Sequence, residues 1–261
     1  MATTTSVTSE LYHEVRGAGP PILFISGASG DAGHFSRAAE RLANEFTTVC
    51  FDRRGCSRSA PLAEGEAMSI AAQADDAAAL VEELGLAPAT VFGSSGGGNI
   101  ALELIARDPG AVRAAIVHEP ALISVLPNAE KEGLSELLEI AVRNPREAME
   151  LFVREHTSDE TFEALDPTHR ERILGNGAHF FGAEIEAFGT YLPDLERVRA
   201  AGVPIRVFAG DDGSMEKPGS EWLAAQLGLA VEPASGHHAP YLQDPEHFAE
   251  ELRPILREVS S

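Results

Sequence analysis

The feature that most restricts how this chain can fold is a repeated alternation of two hydrophobic periods. Short runs rich in β-branched and aromatic residues, "PPILFIS" (20–26) and "TTVCFD" (47–52), bracket a helix-like stretch, "HFSRAAERLANEF" (34–46). A strand, a helix and a second strand in that order make a βαβ unit, and such units build a parallel sheet with helices on both faces. The alternation continues. Ser69 is a good N-cap for a helix whose Ile70, Ala74, Ala77, Val81 and Leu84 recur at steps of three and four before Gly85. "ATVFGS" (89–94) is the next strand, and Ile100, Leu104 and Ile105 share one face of the helix after it, up to "RDPG". "RAAIVHEP" (113–120), "VPIRVFAG" (203–210) and "GLAVEPAS" (228–235) supply three more strands. A last helix opens at Asp244-Pro245 and turns Phe248, Leu252, Ile255 and Val259 to the core.

Residues 121–199 break this rhythm with helical signals only, such as "EGLSELLEIAVRN" and "PREAMELFVREH". The expected organisation is therefore an α/β core from 1–120 and 200–261 with a helical insertion at 121–199. A chain of 261 residues is long enough for one such domain.

Charge and cysteine content narrow the function classes. Against 20 basic residues stand 41 acidic ones, and the formal charge of -21 repels phosphate backbones and anionic membrane surfaces. Nucleic acid and membranes are not expected partners. Cys50 and Cys56 make no disulfide framework, and the first residues, "MATTTSVTSE", lack both the basic start and the apolar run of an export signal. A soluble, cytoplasmic protein is expected. There is no H-e-x-x-h pair of histidines around a glutamate, no C-x-x-C and no phosphate-binding glycine loop ending in Lys-Ser or Lys-Thr, so neither a metal nor a nucleotide cofactor is expected.

The segment "VFGSSGGGNI" (91–100) carries the chemistry. Tested against G-x-S-x-G, only Ser95 fits, between Gly93 and Gly97; a centre at Ser94 requires glycine at Phe92. A serine pushed out of a sharp strand-to-helix turn holds a strained backbone, and bulky residues two places either side would clash. The same turn aims unpaired helix N–H groups at the reacting centre, where negative charge develops.

With its elbow in place, the chain resembles the α/β-hydrolase fold family from about residue 11 to 258. "DRRGCSRS" (52–59) is similar to that family's loop after its fourth strand, with Ser57 where a second glycine is usual. "ISGA" (25–28) is similar to its oxyanion strand-end, with Ser26 replacing a histidine. The resemblance implies an oxyanion hole made by the N–H groups of Ala28 and Gly96. It also places the catalytic histidine between the last strand and the last helix, at His238 by its spacing from Pro245, or at His237 by the literal Gly-His pair. The acid is expected in the loop after "PIRVFAG" at Asp212, with Asp211 and Glu119 as alternatives. His34 opens the first helix beside the oxyanion loop; a surface position is the plainer reading, a place in the pocket the other. His247 is read as structural.

The resemblance further implies that residues 121–199 fold over the sheet as a cap, with some of its aromatic residues facing the serine in an apolar pocket. By helical spacing Met149, Phe152, Phe162, Phe180, Phe181, Phe188 and Tyr191 mostly form the insertion's own small core; Leu122, Phe181 and Tyr191 are the candidates for the lining. The expected activity is a serine hydrolase without a cofactor, acting through an acyl-enzyme on a carboxylic ester or lactone of a small, mainly apolar substrate. Carbon–carbon bond hydrolysis, thioester hydrolysis and perhydrolysis use the same machinery, and a ligand-binding protein that kept the fold is the non-enzymatic rival. Oligomeric state leaves no trace in the sequence.

Overall fold

The computed structural model describes residues 10–62, 67–126, 128–210 and 216–260, with backbone alone for 128–133. Among the described residues seven strands form one sheet: β1 (His13–Arg16), β2 (Pro21–Ile25), β3 (Thr47–Phe51), β4 (Ala89–Ser94), β5 (Val112–His118), β6 (Ile205–Gly210) and β7 (Val231–Ala234). Their order is β1-β3-β2-β4-β5-β6-β7. Only β1 runs antiparallel, pairing with β3; every other neighbouring pair is parallel.

The six strands expected from apolar runs are all present. They read as continuous apolar runs because helices cover both faces of a parallel sheet. Along β2, Ile22 and Phe24 enter one core cluster and Leu23 and Ile25 the other, the two-residue period of a strand buried on both sides. α1 (Gly33–Leu42) lies on the Ile22 and Phe24 face, while α2 (Ile70–Glu83) and α3 (Gly96–Arg107) pack on the opposite face. Ser69 caps α2 as expected, its hydroxyl accepting the Ala72 N–H at 3.3 Å.

Between β5 and β6 the described residues form helices and helical turns and no strand. These are a 3-10 turn (Ile123–Val125), α4 (Asn128–Arg143), α5 (Pro145–His156), α6 (Asp159–Ala164), α7 (Pro167–Gly175) and α8 (Gly177–His179), then a π-helical turn (Phe180–Glu184), α9 (Ile185–Thr190) and α10 (Leu195–Ala200). Polar contacts fix this helical segment to the loops after β2 and β3. Asn176 donates its amide N–H to Ser29 O at 2.6 Å and accepts the Ser57 N–H at 2.8 Å. Arg172 Nε donates to Asp31 Oδ2 at 2.6 Å. Arg53, wholly buried, donates to Ser26 O (3.0 Å), Gly27 O (2.7 Å) and both carboxylate oxygens of Glu184.

After β6 come α11 (Lys217–Leu227), then β7, α12 (Pro240–Gln243) and α13 (Pro245–Ser260). α13 buries Phe248, Ala249, Leu252 and Leu256, while Ile255 is only partly buried and Val259 lies outside the core. Counting in fours from Leu252 selects Leu256, and the expectation for Val259 ran one turn too far.

The carboxyl ends of β2, β4, β5 and β6 and the loop after β7 all open at one edge of the sheet. That edge is where ligands bind in open α/β sheets.

Candidate active site

β4 turns into α3 at Ser95, the N-cap residue, with φ 55° and ψ -128°. A residue with a Cβ rarely adopts this backbone, and its neighbours make room for it. A Cβ on Gly93 would lie 2.4 Å from Gly97 O, one on Gly97 2.0 Å from Ile25 O, and one on Gly27 2.6 Å from Ser95 Cβ. The glycine spacing read in the sequence is thus a spacing of backbone approaches. The turn is held by the Ser95 N–H donating to His118 O at 3.0 Å and by the Gly98 N–H donating to Ser95 O at 2.8 Å. Ser94 is engaged elsewhere, its hydroxyl 3.0 Å from His118 Nδ1 in the buried interior.

Two backbone amides flank the serine. Ala28 follows Gly27 at the end of β2, and Gly96 is the first residue of α3; both line a cavity of about 50 Å³ together with Ser95. Neither amide donates to a protein acceptor among the described residues. The cavity is walled by Ile123, Leu126, Phe152, Phe180 and Phe188, with His156 and Glu216 as its ionisable members. A second cavity of about 40 Å³ is lined by Ser95, Ala28, His34, His238 and Tyr241. Ser95 and His238 therefore line one cavity.

His238 is buried and His237, one residue before it, is exposed. The His237 N–H donates to Gln243 Oε1 at 3.2 Å. On the Nδ1 side of His238 stands Glu119, with Oε2 at 2.6 Å. Glu119 is fully buried, with φ 42° where the chain leaves β5. Its N–H donates to Phe208 O at 3.1 Å, and its Oε1 accepts the Gly210 N–H at 2.9 Å, so the adjoining end of β6 holds the carboxylate in place. Asp212 and Asp211 lie outside the described residues.

Burial on its own pulls the His238 pKa down, but the carboxylates of Glu216 and Glu119 outweigh it and the net shift is upward. Its neighbour His118 has no such pairing, and burial lowers it to about 4, so it stays neutral beneath the serine turn. In the neutral imidazole whose Nδ1–H donates to Glu119, Nε2 carries no proton and can take one. A hydroxyl, a base of that kind and two amides around one cavity are the elements of acyl transfer.

Three expectations for the lining need correction. Leu122 lies in the core against α11, and its neighbours Ala121 and Ile123 face the cavity instead. Phe181 packs on the outside of Phe180, and the cavity is lined by Phe180. The Tyr191 hydroxyl donates to Glu103 Oε2 at 3.2 Å, on the far side of α3. His34 is not at the surface: it is buried edge-on against His169, with ring centroids 5.3 Å apart, and lines the cavity shared by Ser95 and His238. Burial lowers its pKa despite nearby Asp31. Glu216 and His156 were not anticipated, since neither stands in a motif and only folding brings α5 and the start of α11 together.

No helix among the described residues is long and apolar enough to cross a membrane. A family model described as "alpha/beta hydrolase fold" matches residues 20–166. The chain is 33% identical over 255 residues to an "Uncharacterized hydrolase", YraK, of Bacillus subtilis (strain 168), covering 95% of this chain and 93% of that protein. Among solved structures it is similar to a thermophilic esterase from Thermogutta terrifontis, with a TM-score of 0.76, 22% identity and coverage of 96% and 94% of the two chains. It is similar too to Est816, described as an N-acyl homoserine lactone degrading enzyme, with a TM-score of 0.74, 21% identity and coverage of 94% and 96%.

Proposed function

The chain belongs to the alpha/beta hydrolase fold family, and from that membership we propose that it is a serine hydrolase cleaving a carboxylic ester or lactone of a small, mainly apolar substrate. The observation that carries the reading is the constellation at the sheet edge. Ser95 stands in its strained turn, it shares a cavity with His238, and His238 Nδ1 is 2.6 Å from a buried carboxylate.

In this reading Ser95 Oγ attacks the carbonyl carbon while His238 Nε2 takes the hydroxyl proton. The carbonyl oxygen becomes an oxyanion that accepts the N–H groups of Ala28 and Gly96. As the tetrahedral intermediate collapses, His238 returns the proton to the departing alcohol and an acyl ester on Ser95 remains. Water, deprotonated by His238, then attacks that ester and releases the acid, restoring the serine. Glu119, one of the alternatives for the acid, fixes the tautomer of His238 and stabilises its imidazolium form. The helices between β5 and β6 act as the cap. Their Phe152, Phe180 and Phe188 side chains support an apolar acyl group.

The test combines turnover and capture. Hydrolysis of p-nitrophenyl butyrate is expected from the wild-type protein and not from Ser95→Ala. A fluorophosphonate should label the peptide carrying Ser95, read by mass spectrometry. A labelled peptide elsewhere, or full turnover by Ser95→Ala, would remove the assignment.

A further inference from the structure

Within the site, a second acid–base pair stands beside the pair already assigned. Glu216 Oε2 is 3.3 Å from His238 Nδ1, on the same side as Glu119, and Glu216 Oε1 is 3.2 Å from His156 Nε2. His156 belongs to α5 of the helical segment, whereas Glu216 and His238 belong to the sheet-bearing core. Proton counting makes the contact informative. His156 Nδ1 lies 2.7 Å from Phe152 O, and a carbonyl oxygen only accepts, so Nδ1 carries a proton. The contact of Nε2 with the Glu216 carboxylate then requires one more proton, either on Nε2 or on Glu216. The pair holds one proton between them, whichever atom carries it.

We propose that Glu216, sharing a proton with His156, is a positioning residue for His238 and presents a second carboxylate to its Nδ1 side. The proposal rests on the reading of His238 as the base. Its role is electrostatic and geometric. When His238 accepts the serine proton, the new imidazolium faces Glu119 and Glu216; because the shared proton leaves the Glu216–His156 pair neutral overall, the imidazolium and Glu119 balance and the buried cluster is neutral. The ring of His156 also meets that of His238 edge-on at a centroid distance of 5.2 Å, which limits rotation of the imidazole. A residue of the cap thereby helps to set the basicity of the core histidine.

The groups facing His238 come from several elements. They are Glu119 and His118 at the end of β5, Glu216 before α11, His156 of α5, Tyr241 of α12 and His34 of α1. Among these, His118 is neutral, and Tyr241 is pushed up to about 12 by burial, so neither changes charge in the range where His238 titrates. Burial pulls the His34 pKa down. Asp211 and Asp212, just upstream of Glu216, lie outside the described residues.

The decisive measurement is the titration of the His238 ring by ¹H–¹³C NMR in the full-length protein, with its signal assigned by its loss in His238→Gln. Glu216 lies nearer His238 Nδ1 than the proton it shares with His156, so the pair still favours the imidazolium, though by less than a lone carboxylate, and Glu216→Gln should move the midpoint down by about 0.5 to 1 unit. The acid limb of kcat/KM for p-nitrophenyl butyrate should move to lower pH with it. If Glu216→Gln does not fold, Glu216→Asp serves, with a smaller shift of the same sign. A midpoint that moves by less than about 0.3 unit, or upward, in a folded variant would overturn the proposal, even if the variant were less stable. Because the ring titration needs no turnover, it judges Glu216 separately from the hydrolase assignment, which stands or falls with Ser95→Ala.

Discussion

Replacing Ser95 by glycine should make the protein more stable than replacing it by alanine, though both changes remove the nucleophile. Ser95 sits at φ 55°, ψ -128°. A residue with a Cβ held in such a sparsely populated region costs about 1–3 kcal/mol. Alanine keeps that Cβ, within 2.6 Å of where Gly27 would carry its own, and so keeps the strain. Glycine has no Cβ and releases it, at an offset of about 0.5–1 kcal/mol from its greater freedom in the unfolded chain. The expected difference between the two variants is about 0.5–2 kcal/mol in favour of glycine. In a chain of this size that is roughly 1–8 °C in Tm, at about 2–4 °C per kcal/mol. Urea unfolding followed by circular dichroism, with equal slopes for the two variants, gives the comparison directly. A glycine variant no more stable than the alanine one would mean that the turn stores no strain, and the argument for an exposed, strained nucleophile would lose its physical basis.

The remaining predictions concern the partners of the serine and the buried charges. His238→Ala should lose most turnover while His237→Ala keeps much of it, and Glu119→Gln should reduce kcat/KM by about 10³–10⁴-fold, far more than Asp212→Asn; steady-state assays decide both, and a reversed ranking refutes the assignment. Stability should fall on acidification from pH 6.5 toward 4. His118 and His169, lowered to about 4 and about 3 mainly by burial, stay neutral when folded but take up protons once unfolded, so their contribution is complete above 6.5 and lost as pH falls through the folded values. His238, shifted upward, acts in the window above: its contribution is full below 6.5 and lost as pH rises through its folded pKa, so it leaves the loss between 6.5 and 4 unchanged. Urea midpoints at pH 7 and pH 4.5 measure the net slope, and His118→Gln should flatten it. Glu184→Gln, which leaves the Arg53 guanidinium buried without its counter-charge, should cost about 3–5 kcal/mol in urea unfolding; a loss below about 1 kcal/mol would mean that water reaches the arginine.

Much of this architecture is legible in the sequence because buried parallel strands must be apolar on both faces. β1 escapes the reading for the converse reason: His13–Arg16 is a short edge strand, only partly buried, and its residues "HEVR" carry no apolar run. The turn at Ser95 is legible because glycine spacing encodes backbone approach, while the choice of His238 over His237 rests on spacing from the proline of the final helix, and of the two it is His238 that is buried. The neighbour of His238 is harder to read. Spacing from Gly210 points to Asp212, whereas the contact with Glu119 depends on β5 and β6 lying side by side, so that Gly210 N–H and His238 Nδ1 meet the same carboxylate. The pocket lining failed by single positions, Leu122 for Ile123 and Phe181 for Phe180, because a 3-10 turn (Ile123–Val125) and a π-helical turn each change which side chain faces inward.

The Arg53–Glu184 pair has a consequence for how the two parts of the chain come together. Seating the helices one turn away from their observed place would strand a guanidinium beneath the sheet edge and a carboxylate in hydrocarbon, so only one alignment is tolerable. Ser57 and Asn176 repeat that check a few ångströms away. A chimera carrying foreign helices on this scaffold would therefore need an acid at the position of Glu184 before its new specificity could be expressed at all.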